Sequence, residues 1–166
     1  MINRGLLTSI DETWNTPAVV VDTLQLLGGI GLDPCDNAGS ITRAQISYRL
    51  DRAEDGLALS WQGRGLVFCN PPYGREIVKF ASKIAREAEQ GAEIVSLVPA
   101  RTDTKWFATL FGSASAICFW RGRLRFGNAT RGAPFPSAVF YHGKRADRFL
   151  DVFSSRGLCF FAPSLA

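Results

Sequence analysis

The stretch that most constrains the fold is a run of five residues without a polar side chain, Gly-Leu-Val-Phe-Cys at positions 65–69. A short apolar run bounded by loop residues is typical of a strand buried on both faces, as central strands of a parallel sheet are. The run ends at Asn70-Pro71-Pro72-Tyr73, where two consecutive prolines cannot continue a strand ladder. The sequence therefore predicts a buried central strand that stops at a rigid loop.

Segments with helical spacing alternate with short apolar segments along the rest of the chain. Apolar residues recur at helical intervals in residues 76–90. Thr16 is expected to cap a helix that starts at Pro17, and Asp103 to cap one that runs through residue 111. We predict a last helix at residues 146–153 and strands at residues 30–32, 44–50, 65–69, 93–98, 116–120, 124–126, 137–141 and 158–161. This order predicts an α/β fold with a mostly parallel, doubly wound sheet and an antiparallel edge.

Parallel sheets of this kind bind ligands at the carboxyl ends of their strands. Three predicted strand ends carry residues with suitable side chains: Asp33-Pro34, Asn70-Pro71-Pro72-Tyr73, and Pro99-Ala100-Arg101. We therefore expect a binding site that includes Asp33 and Asn70.

Length and hydropathy limit the class of protein. The chain has 166 residues, 46% of them hydrophobic, which fits one folded domain over residues 1–166. No apolar run approaches the roughly 20 residues of a membrane-spanning helix. Met1-Ile2-Asn3-Arg4 leads into Asp11-Glu12, which is unlike a signal peptide, so we expect a cytoplasmic protein without a membrane partner.

The cysteines and the histidine do not form a metal-binding pattern. Cys35, Cys69, Cys118 and Cys159 contain no CxxC pair, and His142 is the only histidine. This spacing argues against a zinc site and against a triad that needs a catalytic histidine. We expect no metal and interpret the cysteines as small buried hydrophobic residues.

Basic residues are concentrated in one part of the chain. The net charge is +4, and residues 121–148 contain seven Lys or Arg residues but a single acid, Asp147. A one-sided basic segment suits a polyanionic partner, although an ordinary solvated surface has the same composition. The candidates for phosphate contacts are Arg101, Arg123, Arg125 and Arg131.

The loop Asn70-Pro71-Pro72-Tyr73 has the groups needed to activate an exocyclic amine on a nucleobase. Such an amine is a poor nucleophile because its lone pair is delocalised into the ring. The side-chain oxygen of Asn70 and the backbone carbonyl of Pro71 can each accept one amine hydrogen, which frees the lone pair. Pro71 and Pro72 fix the loop, and Tyr73 can stack on an extruded base, worth about 1–3 kcal/mol.

Several ordered motifs resemble the compact phage-type DNA N6-adenine methyltransferases, which are Dam-like. The resembling segments span positions 14–143 and are, in order, Trp14-Asn15-Thr16-Pro17, Leu32-Asp33-Pro34-Cys35, Asp55-Gly56-Leu57, Val67-Phe68-Cys69-Asn70-Pro71-Pro72-Tyr73-Gly74, Leu97-Val98-Pro99-Ala100-Arg101-Thr102, Trp106-Phe107, Gly122-Arg123-Leu124-Arg125-Phe126, and Ala133-Pro134-Phe135-Pro136-Ser137-Ala138. The resemblance implies a single-domain, Rossmann-like methyltransferase fold, S-adenosylmethionine as methyl donor, and a flipped adenine in double-stranded DNA as acceptor. It further implies action in the cytoplasm of a bacterial host. From its length, we expect a chain of 166 residues to have little room for a separate target-recognition domain.

The resemblance also implies roles for individual residues. Thr16, Pro17, Asp33 and Pro34 would hold the methyl donor, and Asp55 would contact its adenine ring. The usual glycine-rich sequence after Asp-Pro is replaced here by Cys-Asp-Asn-Ala-Gly-Ser at positions 35–40.

An acid after the second strand commonly binds the ribose hydroxyls of a nucleotide. Asp51 is the better-placed candidate for that contact and Glu54 the next. Phe126 and Phe135 are candidates to hold the flipped base.

Related chemistries stay open at this stage. Cytosine N4, an RNA base and a protein amide all present a planar amine to a similar loop, and a non-catalytic DNA-binding relative would share the fold. Cytosine C5 methylation has Pro34-Cys35 in its favour, but the chain has no Glu-Asn-Val triplet to supply its acid. The oligomeric state is not predicted by any of these motifs.

Overall fold

The computed structural model describes residues 14–163, which form a mixed α/β structure. Its four helices and seven strands are α1 (Ala18–Gln25), β1 (Leu32–Asp33), β2 (Ile46–Ser47), β3 (Leu66–Cys69), α2 (Ile77–Glu89), β4 (Glu93–Pro99), α3 (Lys105–Ser113), β5 (Ala116–Trp120), β6 (Ser137–His142), α4 (Ala146–Phe153) and β7 (Gly157–Phe161). A short 3-10 helix, Leu50–Arg52, follows β2.

The strands form one sheet in the order β2-β1-β3-β4-β6-β5-β7. Strands β2, β1, β3 and β4 are parallel, whereas β6 is antiparallel to both β4 and β5, and β7 is antiparallel to β5. Strands β1 to β5 therefore share one direction, and β6 and β7 run against it. The predicted mostly parallel sheet with an antiparallel edge is confirmed, and it is consistent with a Rossmann-like fold.

Helices cover both faces of the sheet, and alternate residues of the central strands supply both cores. Leu66 and Phe68 of β3 pack in one hydrophobic cluster with α1 and α4. Val67 and Cys69 pack in the other with α2 and α3. All four β3 residues are buried, as the apolar run predicted. Burial on both faces is what makes this strand a firm support for the loop that follows it.

Two predicted helix caps are wrong. The N-cap residue of helix α1 is Pro17, whose carbonyl accepts from the Val20 and Val21 amides. The Thr16 hydroxyl does not cap this helix. Helix α3 is capped by the Thr104 side chain, which accepts from the Phe107 amide (3.3 Å), and not by Asp103.

The predicted strand at residues 124–126 is also wrong, because this stretch is an extended loop between β5 and β6. Leu124 and Phe126 are buried in the core while Arg123 and Arg125 are exposed, so the side chains alternate. The alternation arises because one side of the loop packs on the core. Its Leu124 carbonyl accepts from the Ala133 amide across the same loop (2.8 Å).

No helix in residues 14–163 is long and apolar enough to cross a membrane.

Candidate active site

A cavity of about 450 Å³ opens at the carboxyl ends of β1 and β3. The direction in which successive strands are added to the sheet reverses between β1 and β3. The chain places β2 on one side of β1 and then β3 on the other side. Ligands bind parallel sheets at such switch points. The lining includes predicted site residues from four separate segments of the chain, namely Thr16, Asp33, Pro34, Asp51, Asp55, Asn70, Pro71 and Pro72.

The Asn70 amide is held in one orientation at this cavity. Its NH2 donates to the Trp14 backbone carbonyl (2.6 Å) and to the Thr16 hydroxyl oxygen (3.0 Å). A carbonyl can only accept, so the nitrogen must face Trp14 and the oxygen must point the other way. That Oδ1 atom is buried and has no hydrogen-bond partner within residues 14–163. The cavity wall thus carries an oriented acceptor.

The two prolines of the loop line the same cavity. In the part of the chain that the structure describes, the Pro71 carbonyl takes part in no internal hydrogen bond. Pro71 therefore offers a second acceptor beside Asn70, on a backbone whose φ angles the rings restrict.

Tyr73 contacts the aromatic residues beside the cavity and is not part of its lining. Its ring is nearly parallel to that of Trp14, with centroids 6.2 Å apart, and meets Phe126 and Phe135 edge-on. The hydroxyl reaches the Leu97 carbonyl only at 3.4 Å. Burial raises the pKa of Tyr73 well above its ordinary value, so the phenol stays neutral.

A short segment before α1 joins three loops around the cavity, and sequence reasoning did not assign it this role. Asn15 accepts through its side chain from Asn37 (2.8 Å) and through its carbonyl from Gly127 (2.8 Å). Trp14 and Thr16 on either side of it bind Asn70. The only signal in the sequence was the motif Trp14-Asn15-Thr16-Pro17 itself. Pro17 lies outside the cavity lining.

Asp33 is a buried carboxylate, 4% exposed, at the end of β1. Its Oδ1 accepts from the Cys35 amide (2.9 Å) and its Oδ2 from the Thr42 hydroxyl (2.7 Å). Burial raises the pKa of Asp33 to about 6, and these two bonds oppose that rise. Asp33 thus holds the loop 35–42 in shape while it lines the cavity.

Asp51 and Asp55 line the cavity from the loop after β2, which we call its far rim. The Arg49 guanidinium donates to Asp51 (Nε to Oδ1, 2.9 Å) and lowers the pKa of that carboxyl. Asp55 accepts from the Leu57 amide (2.9 Å). Glu54, the second candidate for a ribose contact, is not part of the lining.

Gly56 lets this rim approach the β1 loop closely. A Cβ atom there would collide with the Pro34 carbonyl. The buried Trp61 fixes the backbone of Gly56, because its indole N–H donates to the Gly56 carbonyl (2.9 Å).

A family model described as DNA N-6-adenine-methyltransferase (Dam) matches residues 5–139. The chain belongs to this family. It is similar to the DNA N-6-adenine-methyltransferase of Escherichia phage T1, with 28% identity over 110 residues. That match covers 66% of this chain and 44% of the phage protein, less than half of its length. The predicted membership of a phage-type, Dam-like family is confirmed.

The cavity of this Dam family member is lined by acids and by apolar side chains. Among residues 14–163, five carboxylates belong to the lining and no lysine or arginine does; the carboxylates are Asp33, Asp36, Asp51, Asp55 and Glu76. Leu50, Leu57 and Phe80 supply apolar wall. An acidic, partly apolar cavity favours a cationic ligand with an aromatic or aliphatic body. Over residues 14–163 there is no group of three or more His, Cys, Asp or Glu residues arranged to hold a metal ion.

A second groove, of about 380 Å³, has the opposite charge. Its lining includes Arg121, Arg123, Arg125 and Arg156, and no carboxylate from the described part of the chain. Among the described residues none of these four side chains forms an ion pair. Pro17 also lines the groove, so it lies next to the cavity wall at Thr16. Arg101 and Arg131 are exposed outside it.

Proposed function

We propose that this protein is a DNA adenine N6-methyltransferase that uses S-adenosylmethionine and acts on a flipped adenine in double-stranded DNA. The observation that carries the proposal is the oriented, unpartnered Oδ1 of Asn70 at the switch-point cavity. Membership of the Dam family and similarity to the DNA N-6-adenine-methyltransferase of phage T1 support the same reaction.

The acceptor half of the site follows from hydrogen-bond chemistry. Asn70 Oδ1 accepts one hydrogen of the adenine amine, and the Pro71 carbonyl accepts the other. Both acceptors draw the nitrogen toward a tetrahedral geometry and localise its lone pair for attack. Asn70 is neutral and Thr16 and Trp14 hold its amide, so the residue orients the amine without first removing a proton. The proton leaves the nitrogen after the methyl group has been transferred.

The donor half fits a cationic nucleoside. When bound, S-adenosylmethionine supplies an activated methyl group on a positively charged sulfur. Asp33, with its neighbour Asp36, provides negative charge near the carboxyl end of β1, and Asp51 and Asp55 provide acceptors for sugar and base on the far rim. Thr16 and Pro34 complete the contacts that we assign to the donor.

The arginine groove supports duplex DNA as the partner. Arg123 and Arg125 project from the same side of the loop after β5, and phosphates are the groups that such a groove binds. We assign Arg101 and Arg131 to further phosphate contacts outside it. We also propose that residues 1–166 form one doubly wound domain, and that it acts in the cytoplasm of a bacterial host.

A labelled-methyl assay on DNA, RNA and protein tests the activity, with Asn70→Ala as the decisive variant. We expect label on adenine N6 in duplex DNA, and a loss of at least about a hundredfold in turnover for Asn70→Ala with donor affinity within a few-fold. Gln90→Ala, which removes an exposed amide outside the cavity, is the matched control and should retain wild-type turnover. Label on cytosine, RNA or protein alone would contradict the proposal, and so would an active Asn70→Ala variant.

A further inference from the structure

Two residues that line the cavity each carry a buried polar atom without a partner among residues 14–163. The atoms are the Asn70 Oδ1 and the Trp14 indole Nε1. Within residues 14–163 the other buried side-chain atoms of this kind are on Ser96, Ser137, His142 and Arg156, which do not line it. A buried polar group without a partner destabilises the folded chain by about 1–3 kcal/mol, so such a group at a cavity indicates a ligand atom that satisfies it.

The indole is held on the acceptor side of the cavity. The Trp14 carbonyl accepts from the Asn70 amide (2.6 Å), which connects the residue to the catalytic loop. Its ring is inclined by only 21° to that of Tyr73 and packs edge-on against Phe126 (5.4 Å) and Phe135 (5.1 Å). Trp14 therefore contacts both ends of the loop that begins with Asn70 and ends with Tyr73.

The two atoms have complementary roles. Oδ1 of Asn70 can only accept a hydrogen bond, and the indole N–H can only donate one. Adenine presents an amine donor flanked on each side by a ring nitrogen that accepts, N1 on one side and N7 on the other. Guanine and thymine present a carbonyl oxygen where the amine would be.

We propose that Trp14 is a specificity-determining residue whose indole N–H donates to a ring nitrogen beside the amine of the flipped adenine. With Asn70 it forms a donor–acceptor pair that admits amino bases and excludes keto bases. The assignment deepens the proposed function and rests on it. Cytosine presents the same pair through its N4 amine and N3, so a contact to adenine N1 does not discriminate between the two bases, whereas a contact to N7 does.

Removing the ring nitrogen from the substrate and the N–H from the protein tests this pairing. After the target adenine has been located by sequencing methylated DNA, duplexes are prepared with 1-deazaadenine or 7-deazaadenine at that position. We expect wild-type kcat/KM to fall roughly five- to tenfold with one of the two analogues. On adenine, Trp14→Phe should lose a similar factor in kcat/KM. On the sensitive analogue the variant should show no additional loss, because the analogue and the substitution remove the same hydrogen bond.

Trp106→Phe is the control, because Trp106 packs in the core beside Phe107 and does not line the cavity. It should keep the wild-type response to both analogues. The wild-type comparison needs no variant, so equal rates on adenine and both analogues would reject the ring-nitrogen contact even if Trp14→Phe folds poorly.

Three results would overturn the assignment while leaving the proposed function in place. Wild type that is active but equally fast on adenine and both analogues would remove the ring-nitrogen contact. Trp14→Phe that keeps the wild-type sensitivity to the analogue would assign that contact to another group. A loss in Trp14→Phe that is entirely a weaker donor Kd, measured by calorimetry, would assign the indole to the donor. Wild type without any adenine methylation would overturn the proposed function, and this assignment with it.

Discussion

Individual residues at the cavity differ in whether they act through a ring, a charge or a hydrogen bond. Tyr73 is a case where the structure favours the ring. Its hydroxyl has one long contact, to the Leu97 carbonyl at 3.4 Å, whereas its ring contacts Trp14, Phe126 and Phe135. Loss of the hydroxyl should therefore matter little.

We expect Tyr73→Phe to keep kcat/KM within about twofold of wild type, and Tyr73→Ala to lose a base-stacking contribution of about 1–3 kcal/mol, or roughly five- to 150-fold. Steady-state kinetics on a DNA substrate measures both. Equal damage in the two variants would show that the hydroxyl is the working group.

Asp33 is a residue whose charge should matter. Burial raises its pKa from 3.8 to about 6, so between these values the folded protein retains a proton that the unfolded chain has released. Its contribution to stability therefore falls as the pH rises from about 4 to about 6. The affinity for a cationic donor should change in the opposite direction, because only the ionised carboxylate attracts it.

We expect donor affinity to weaken as the pH falls below about 6 and to level off above it. Asp33→Asn should bind more weakly at pH 7.5 and lose this pH dependence, while Asp33→Ala should lose donor binding with native circular dichroism. Calorimetry over a pH series measures this. A wild-type affinity that does not change with pH would mean that Asp33 only shapes the loop 35–42.

The contacts of Asn70 explain how far sequence reasoning reached at this scale. The tetrapeptide predicted Asn70 as an acceptor because its residue types have local meaning. The orientation of its amide depends on Trp14 and Thr16, which are 56 and 54 residues away in the chain, and only the fold joins them. Likewise, Asp33 was predicted from its place at a strand end, but its raised pKa follows from burial beneath a loop.

Among the structural elements, the loop after β2 owes its position to one close approach. Gly56 lies against the Pro34 carbonyl with no room for a Cβ atom. This contact sets the width of the cavity between the rim that carries Asp55 and the end of β1.

We expect Gly56→Ala to weaken donor affinity by roughly tenfold or more, because the two rims must separate. Gly63→Ala in the same loop is the matched control. Gly63 has a φ of +66° with no atom within 4 Å of the added Cβ, so alanine there should cost about 1 kcal/mol of stability and leave donor affinity unchanged. Equal donor Kd values for the two variants would contradict a role for the close approach.

Helices and strands were predictable where a strand is buried on both faces of the sheet or where apolar residues recur at regular intervals. The structure places β3, β5 and α4 close to their predicted bounds, because the apolar pattern of each element is compatible with a single type of packing. The stretch 124–126 was taken for a strand because its alternation of Leu and Arg resembles one, and an extended loop packed on one side gives the same pattern. Capping by Thr104 instead of Asp103 depends on where the chain turns, which spacing alone does not determine.

At the scale of the whole molecule, two cavities of opposite charge lie on either side of the start of α1. Thr16 lines the acidic cavity and Pro17 lines the arginine groove. The net charge of +4 conceals this separation. Arg123 and Arg125 are predicted phosphate contacts, and Arg121 belongs to the same basic segment. Arg156 joins them from the turn after α4, which no local pattern indicates.

If DNA phosphates occupy the arginine groove, each contact releases counterions and affinity falls steeply with salt. The logarithm of the binding constant should fall with the logarithm of salt concentration at about −0.9 per phosphate neutralised on duplex DNA. Arg123→Gln and Arg125→Gln should each reduce that slope by about one, to the same extent on every DNA sequence, because phosphates carry no base identity.

Lys144→Gln provides the matched test, because it removes one positive charge from the same basic segment but at a residue that lines a different cavity. Its salt slope should equal that of wild type, and donor affinity should be unchanged in all three variants. Titrations at several salt concentrations measure the slopes. An equal reduction in Lys144→Gln would indicate a diffuse effect of net charge. Salt slopes in Arg123→Gln and Arg125→Gln that equal the wild-type slope would mean that the groove is solvated. DNA would then approach the acidic cavity from another face of the protein.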